Sequence, residues 1–253
     1  MTTNLNYNVT QLIPLSSLLS GFNVLVAIFC ASLLWFRRRD LLKSDPLVKR
    51  FFNIFVYCAA QFSWSFLPGT LVKDTYFIQV VYTFADMTIM WITIYLFSIP
   101  LNMFPQTQKL KQFVKTASWV MLVFSISYVG YNLQTIKPAI PVTYGTLIDW
   151  RGTVEPTLQL IAIAFAAICL IATVSFFFFR GWQHENNLIR KRSRILTAGF
   201  FSILLGWVVI SLFSAFASQG MGILLTGGAI GTGFMSLGFV ALLSAIFTKA
   251  ETR

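Results

Sequence analysis

Seven apolar runs of about twenty residues or more follow one another along the 253-residue chain, and nearly all of its charged residues lie between or beyond them. A continuous run of this length suits an α-helix crossing the ~30 Å hydrocarbon core of a bilayer, whereas membrane-barrel strands alternate over about ten residues. The runs are Leu12–Phe36, Phe51–Val72, Tyr76–Met103, Thr116–Leu133, Thr157–Phe179, Ile195–Ala217 and Gly222–Phe247. The sequence therefore predicts an all-α polytopic membrane protein, a single domain of seven transmembrane helices over residues 1–253.

The distribution of basic residues predicts how the helices are oriented. Of 19 lysines and arginines, 16 follow the first, third and fifth runs or lie in the C-terminal tail; Lys73, Lys137 and Arg151 lie on the other side. Basic residues collect on the cytoplasmic side of membrane proteins, so the N-terminus is predicted outside and the C-terminus in the cytoplasm. This alternation accounts for the net charge of +11 without nucleic-acid binding. The basic face is expected to contact anionic lipid headgroups.

The sequence carries no pattern typical of an enzyme or of a cofactor site. Cys30, Cys58 and Cys169 all fall inside apolar runs, as small buried hydrophobic side chains do. His184 is the only histidine and cannot by itself hold a haem or a zinc ion. The seventh run has no lysine for a retinal Schiff base, and the nearest, Lys249, lies beyond its end. We therefore expect neither catalysis nor a bound metal or cofactor.

Asp86 is the only acidic residue inside an apolar run. A charge at bilayer depth costs at least ~2.5 kcal/mol, so such a residue normally faces the bundle interior and has a partner. At ~1.5 Å per residue, Asp86 lies about 13 Å below the outer surface, and Asn23, Gln61 and Thr232 reach similar depths. These residues predict a polar layer, with Trp64 beside Gln61. The layer would be a ligand- or proton-responsive site or, as we favour, an interhelical hydrogen-bond clamp.

The seventh run is rich in glycine. Gly227 and Gly231 lie four residues apart and share a helix face, and Gly233 lies on a second face with Ala229. Small residues let membrane helices approach closely, so these three glycines are predicted to mediate helix packing within the bundle. A homodimer face is the alternative.

The one long outer segment, Gln134–Glu155, allows two structures. A β-prone stretch followed by a second apolar stretch would form a short hairpin over the helix ends. The alternative, which we favour, is an irregular loop anchored at the membrane interface by Tyr144 and Trp150.

Four segments carry a resemblance to a known family: Trp35–Arg39, Phe51–Trp64, Trp91–Phe97 and Arg190–Gly199. Their pattern resembles the seven-helix membrane sensor region found at the N-terminus of many bacterial histidine kinases and cyclic-dinucleotide enzymes. The resemblance implies signal transduction in a bacterial cytoplasmic membrane. In that family a signalling domain follows the seventh helix, whereas here the chain ends six residues after Phe247. We therefore expect a stand-alone sensor that acts through a partner protein.

Two other functional classes stay open. One is a small-solute or proton-coupled transporter or channel subunit, with Asp86 as the coupling or pore residue. Few mid-span prolines and a single buried acid weaken this alternative, because broken helices and paired ionisable groups mark many transporters. The other is a structural subunit of a larger membrane complex.

The basic asymmetry makes a testable prediction about topology. Cysteines introduced as Lys111→Cys and Arg192→Cys should resist a membrane-impermeant thiol reagent in intact cells, because both positions are predicted to be cytoplasmic. Thr153→Cys should react. The reverse labelling pattern would overturn the orientation.

Overall fold

Helices make up most of the structure, a computed structural model that describes residues 13–70, 74–103, 108–144, 147–153, 155–215 and 221–248. The helices are α1 Leu15–Arg37, α2 Arg39–Ser44, α3 Pro46–Thr70, α4 Thr75–Met103, α5 Gln108–Gln134, α6 Pro156–Phe176, α7 Asn187–Ala215 and α8 Met221–Phe247. Each predicted apolar run coincides with one of the seven long helices, and α2 is a short helix in the basic segment after α1. The predicted limits Leu12, Val72 and Ala217 lie outside the described residues.

Five of the described helices are long and apolar enough to cross a membrane. Their apolar stretches are Ser20–Arg37, Thr75–Pro100, Leu160–Gly181, Asn187–Ile210 and Leu225–Phe247, in α1, α4, α6 with the turn that follows it, α7 and α8. The helices α3 and α5, of 25 and 27 residues, are not among these five. The fold is therefore that of a helical membrane protein with five strongly apolar helices.

Six helices form a ring. Around it, α1 packs on α3, α3 on α4, α4 on α6, α6 on α7, α7 on α8, and α8 returns to α1. The helix α5 lies outside this ring and packs mainly on α4. Large side chains fill the ring towards the end at which α1 and α8 finish, where the Phe177 and Phe200 rings stack with centroids 5.8 Å apart and the Phe55 ring meets Phe239 edge to face.

A five-residue π-helical turn, Phe177–Gly181, continues α6 beyond its last regular residue. Phe177 is fully buried in the ring, whereas Phe178 and Phe179 are exposed. The wider π-helical turn places Phe177 in the core and Phe178 and Phe179 on the surface of the ring.

A small sheet covers the ends at which α1 and α4 begin and corrects two expectations. Its strands are β1 Ile13–Pro14, β2 Ile140–Tyr144 and β3 Leu147–Arg151; β2 pairs antiparallel with β3, and β1 pairs parallel with β3. The favoured irregular loop is thus wrong, and the fold is not strictly all-α. The reason is the period-two burial of Ile148 and Trp150, which places one face of β3 against Ile78 of α4. Nearby, the Thr153 amide donates to Gln79 Oε1 of α4 over 2.7 Å.

Matched glycines hold α7 and α8 together. A Cβ at Gly206 of α7 would lie 2.5 Å from the carbonyl oxygen of Gly231, and one at Gly238 would lie 2.7 Å from that of Gly199. Gly199 and Gly206 are seven residues apart on α7, as are Gly231 and Gly238 on α8. The two antiparallel helices therefore bring glycine against glycine at two positions along their contact. Ser202 reinforces the contact by donating to the Phe234 carbonyl over 2.7 Å.

The predicted packing glycines divide between two faces of α8. A Cβ at Gly227 would lie 2.1 Å from Phe213 and one at Gly231 would lie 2.4 Å from Ile210, so both face α7. The prediction for Gly233 is wrong for packing within the described chain, because a Cβ there meets nothing within 4 Å. Two residues of helix turn the direction by roughly 200°, which points Gly233 away from α7.

The two faces supply a matched pair of variants. Gly231→Ala should lower the free energy of unfolding by about 1–3 kcal/mol, because its methyl group must displace Ile210 and the Gly206 carbonyl. Gly233→Ala, in open space, should change it by less than about 0.5 kcal/mol. Thermal unfolding in detergent, followed by circular dichroism, measures both. Equal melting temperatures for the two variants would contradict the glycine-matched contact.

Candidate functional site

A cavity of about 130 Å³ lies between five helices of the ring. Most of its wall is aliphatic or aromatic, with side chains from α3, α4, α6, α7 and α8: Ile54, Phe62, Ile89, Ile92, Leu96, Ala166, Leu170, Ile203, Met235 and Phe239. An apolar cavity of this size accommodates a molecule about as large as benzene. The cavity is therefore the strongest candidate in the described residues for a small-ligand site.

Four side chains with polar atoms complete the cavity wall. Cys58 and Gln61 lie one turn apart on α3, Thr93 comes from α4, and Trp207 comes from α7. The Thr93 hydroxyl donates to the Met90 carbonyl over 2.7 Å. A mostly apolar pocket with a few polar groups from different helices is typical of sites that orient a small molecule by one or two hydrogen bonds. The Gln61 amide and the Trp207 indole supply such groups here.

Asp86 lies outside the cavity wall and bonds to a residue that the sequence did not single out. The Tyr128 hydroxyl donates to Asp86 Oδ2 over 2.6 Å and joins α4 to α5. Five residues further along α4, Trp91 Nε1 donates to Ser125 Oγ over 3.1 Å. The part-buried bonds between Asp86 and Tyr128 and between Trp91 and Ser125 attach α5 to the ring.

Asn23 belongs to a different contact. Its Oδ1 accepts a hydrogen bond of 3.0 Å from the Ser236 hydroxyl, and its Nδ2 lies 4.0 Å from the sulfur of Met235. This contact joins α1 to α8. Thr232 is buried one turn before Ser236 on the same face of α8. Asn23 and Thr232 therefore lie on the α1 and α8 side of the ring.

The predicted polar layer is thus divided among three places. Gln61 lines the cavity, Asn23 bonds to α8, and Asp86 bonds to α5. Trp64, predicted beside Gln61 in the polar layer, stacks on Phe84 of α4 with centroids 6.1 Å apart, is 37% exposed and does not line the cavity. Depth along a helix follows from residue spacing, but the neighbour that each side chain meets depends on the order of helices in the ring.

Tyr128 could have been identified by applying the same depth estimate to the fourth apolar run. The fourth apolar run is predicted to enter from the cytoplasmic side at Thr116, which puts Tyr128 about 18 Å from that side. Asp86, about 13 Å from the outer side of a ~30 Å core, lies at the same level. Ser236 and Trp207 carry no comparable signal, because serine and tryptophan are common in apolar helices for other reasons.

Comparison with known proteins adds no indication of function to the contacts described above. No protein-family model matches the chain, and a search of curated proteins finds no match. The resemblance to sensor regions stays a prediction from residue patterns.

The bond between Asp86 and Tyr128 predicts unequal effects for its two partners. Asp86→Asn keeps an acceptor for the tyrosine hydroxyl and should change the free energy of unfolding by less than about 1 kcal/mol. Tyr128→Phe leaves the buried carboxyl group without its donor and should cost about 1–3 kcal/mol. Thermal unfolding in detergent measures both.

Tyr131→Phe is the matched control, because Tyr131 is 47% exposed on the same helix. It should melt with the wild type. If Tyr128→Phe also does so, the bond does not hold α5. If Asp86→Asn folds normally but abolishes activity, Asp86 has a functional role beyond the clamp.

Proposed function

We propose that this protein is a non-enzymatic membrane sensor that binds a small apolar molecule in the internal cavity and acts through a partner protein. The single observation that carries the proposal is the apolar cavity whose wall is shared by α3, α4, α6, α7 and α8. A ligand that contacts five helices has a different affinity for each arrangement of those helices, and such a difference shifts the population of a sensor's states.

The contacts below the cavity offer a route to the cytoplasmic face. Phe239 lines the cavity on α8, and Phe247, two turns further on, lies 4.9 Å from the guanidinium carbon of Arg38. At the same end, Arg192 Nη2 of α7 donates to the Thr248 carbonyl over 3.0 Å. The glycine-matched contact makes α7 and α8 a tightly packed pair. A change at Phe239 would therefore reach basic side chains that a cytoplasmic partner can contact.

The proposed topology has seven transmembrane helices, with the N-terminus outside. The helices α3 and α5, at ~1.5 Å per residue, are roughly 37 and 40 Å long, enough to cross a bilayer. Seven crossings put 16 of the 19 basic residues on one side. We assign that side to the cytoplasm, and the resemblance supports a bacterial cytoplasmic membrane.

A transporter has less support. Its coupling residue would be Asp86, yet this carboxyl group accepts a bond from Tyr128 between α4 and α5 and does not line the cavity. The apolar wall also suits neither a small polar solute nor a proton path, because a polar group without partners is costly in apolar surroundings.

Indole tests the proposal, because it is a small aromatic molecule with one hydrogen-bond donor. In lipid nanodiscs, indole should raise the melting temperature of the wild type with saturable dependence on concentration, as binding to the native state does. Ala166→Phe places a ring in the cavity and should abolish the increase. Gln61→Leu, close in size, should weaken it. Hydrogen exchange of residues 187–194, at the cytoplasmic end of α7, should change when indole binds.

Ala164→Phe is the control for the bulky substitution, because Ala164 is exposed on α6. It should keep the wild-type response. An equal response in Ala164→Phe and Ala166→Phe would contradict binding in the cavity. Saturable binding without a change at residues 187–194 would leave a ligand site but remove the sensor.

A further inference from the structure

A second concave surface lies on the outside of the ring, along the contact between α1 and α3. This groove has a volume of about 360 Å³ and is lined by Ile28, Ser32 and Trp35 of α1 and by Phe52, Val56 and Ala59 of α3. Ile28, Trp35 and Val56 are each more than 40% exposed. From Ile28 to Trp35 the groove extends roughly 10 Å along α1. The groove is apolar and open on the outside of the ring.

Positive charge lies at one end of this groove. The guanidinium carbon of Arg39 is 5.8 Å from the centre of the Trp35 ring, which itself lines the groove. Lys49, three residues before Phe52 on the same face of α3, is exposed. Arg37 is also exposed, but two residues of helix beyond Trp35 turn it by roughly 200°, away from the groove. The groove therefore ends in two cationic side chains, Arg39 just beyond α1 and Lys49 on α3.

The neighbouring charges leave this end positive. Segment 37–50 contains six basic residues and two acidic ones. Asp45 accepts a hydrogen bond of 2.8 Å from the Leu47 amide, and Asp40 is exposed. Arg38 lies over the Phe247 ring and Arg50 donates to Ser98, so these two arginines are directed elsewhere.

We propose that the groove binds an anionic phospholipid of the cytoplasmic leaflet, with an acyl chain against Ser32 and Val56 and the phosphate at Arg39 and Lys49. The shape and the charge together fit a molecule that is apolar along its length and negative at one end. Juxtamembrane cations attract anionic headgroups, and tryptophan prefers the headgroup level. The site is separate from the internal cavity and does not depend on the proposed sensor.

A second copy of the chain fits this surface less well. Two copies related by a twofold axis along the membrane normal would present the same patch to each other. Arg39 and Lys49 of both copies would then face one another at the same depth, and like charges at close range repel. An anionic lipid neutralises the same residues.

Native mass spectrometry of the detergent-purified protein, titrated with dioleoyl phosphatidylglycerol or dioleoyl phosphatidylcholine, tests the proposal. The wild type should bind the anionic lipid more tightly than the zwitterionic one. Arg39→Gln should weaken phosphatidylglycerol binding roughly fivefold, as expected for one juxtamembrane cation, and leave phosphatidylcholine unchanged. Ser32→Phe should fill the groove and weaken the binding of both lipids.

Arg194→Gln is the matched control, because the guanidinium carbon of Arg194 lies 5.6 Å from the Trp182 ring, away from this groove. It should keep wild-type affinity. Leu25→Phe, at a 68% exposed position of α1, controls for the added ring. Equal affinity for the two lipids, or equal losses in Arg39→Gln and Arg194→Gln, would overturn the proposal. A dimer without bound lipid that Ser32→Phe disrupts would also overturn it, and would assign the groove to a second copy.

Discussion

Two helices in a hydrocarbon core gain no hydrophobic free energy by meeting, because lipid tails are as apolar as the side chains that they replace. Helices stay together there through close backbone approach and through hydrogen bonds that have no competing water. The structure uses each means at a different contact. Glycines bring α7 against α8, the Asp86–Tyr128 bond attaches α5 to α4, and Asn23 with Ser236 joins α1 to α8. The glycine contact and the Asn23–Ser236 bond join neighbouring helices of the ring, and the Asp86–Tyr128 bond attaches α5 to it.

Helix positions were predictable because length and apolarity are local properties of the sequence. The run that begins at Tyr76 corresponds to a helix that begins at Thr75, and the last run and α8 both end at Phe247. The outer hairpin was misjudged, because the burial of Trp150 depends on α4 passing beneath β3. A short strand gains its stability from such a neighbour, and no residue within the strand indicates that the neighbour is present.

The candidate site was predictable only in part, for a related reason. Gln61 was identified from its depth, and it lines the cavity. The predicted polar residues do not come together in one layer. Residue spacing gives the depth of a side chain, whereas its position in the plane of the membrane depends on the order of the helices. The glycines of α8 show the same limit. Gly231 and Gly233 are the same residue type at nearly the same depth, yet only Gly231 contacts α7. The partner glycine Gly206 lies on another helix, in a register that only the folded chain defines.

The parallel pairing of β1 with β3 has a mechanical consequence. Ile13 and Pro14 lead directly into α1, and they are bonded to a strand that rests on α4 and is continued by a bond to Gln79. The first turns of α1 and α4, which both pack on α3, are thereby connected to each other through one hairpin. Displacement of that hairpin would move both helices together. At the other end of α1, such a movement would shift Arg37 and Arg39 relative to α3. The hairpin thus connects the two ends of the bundle by a route that does not include the cavity.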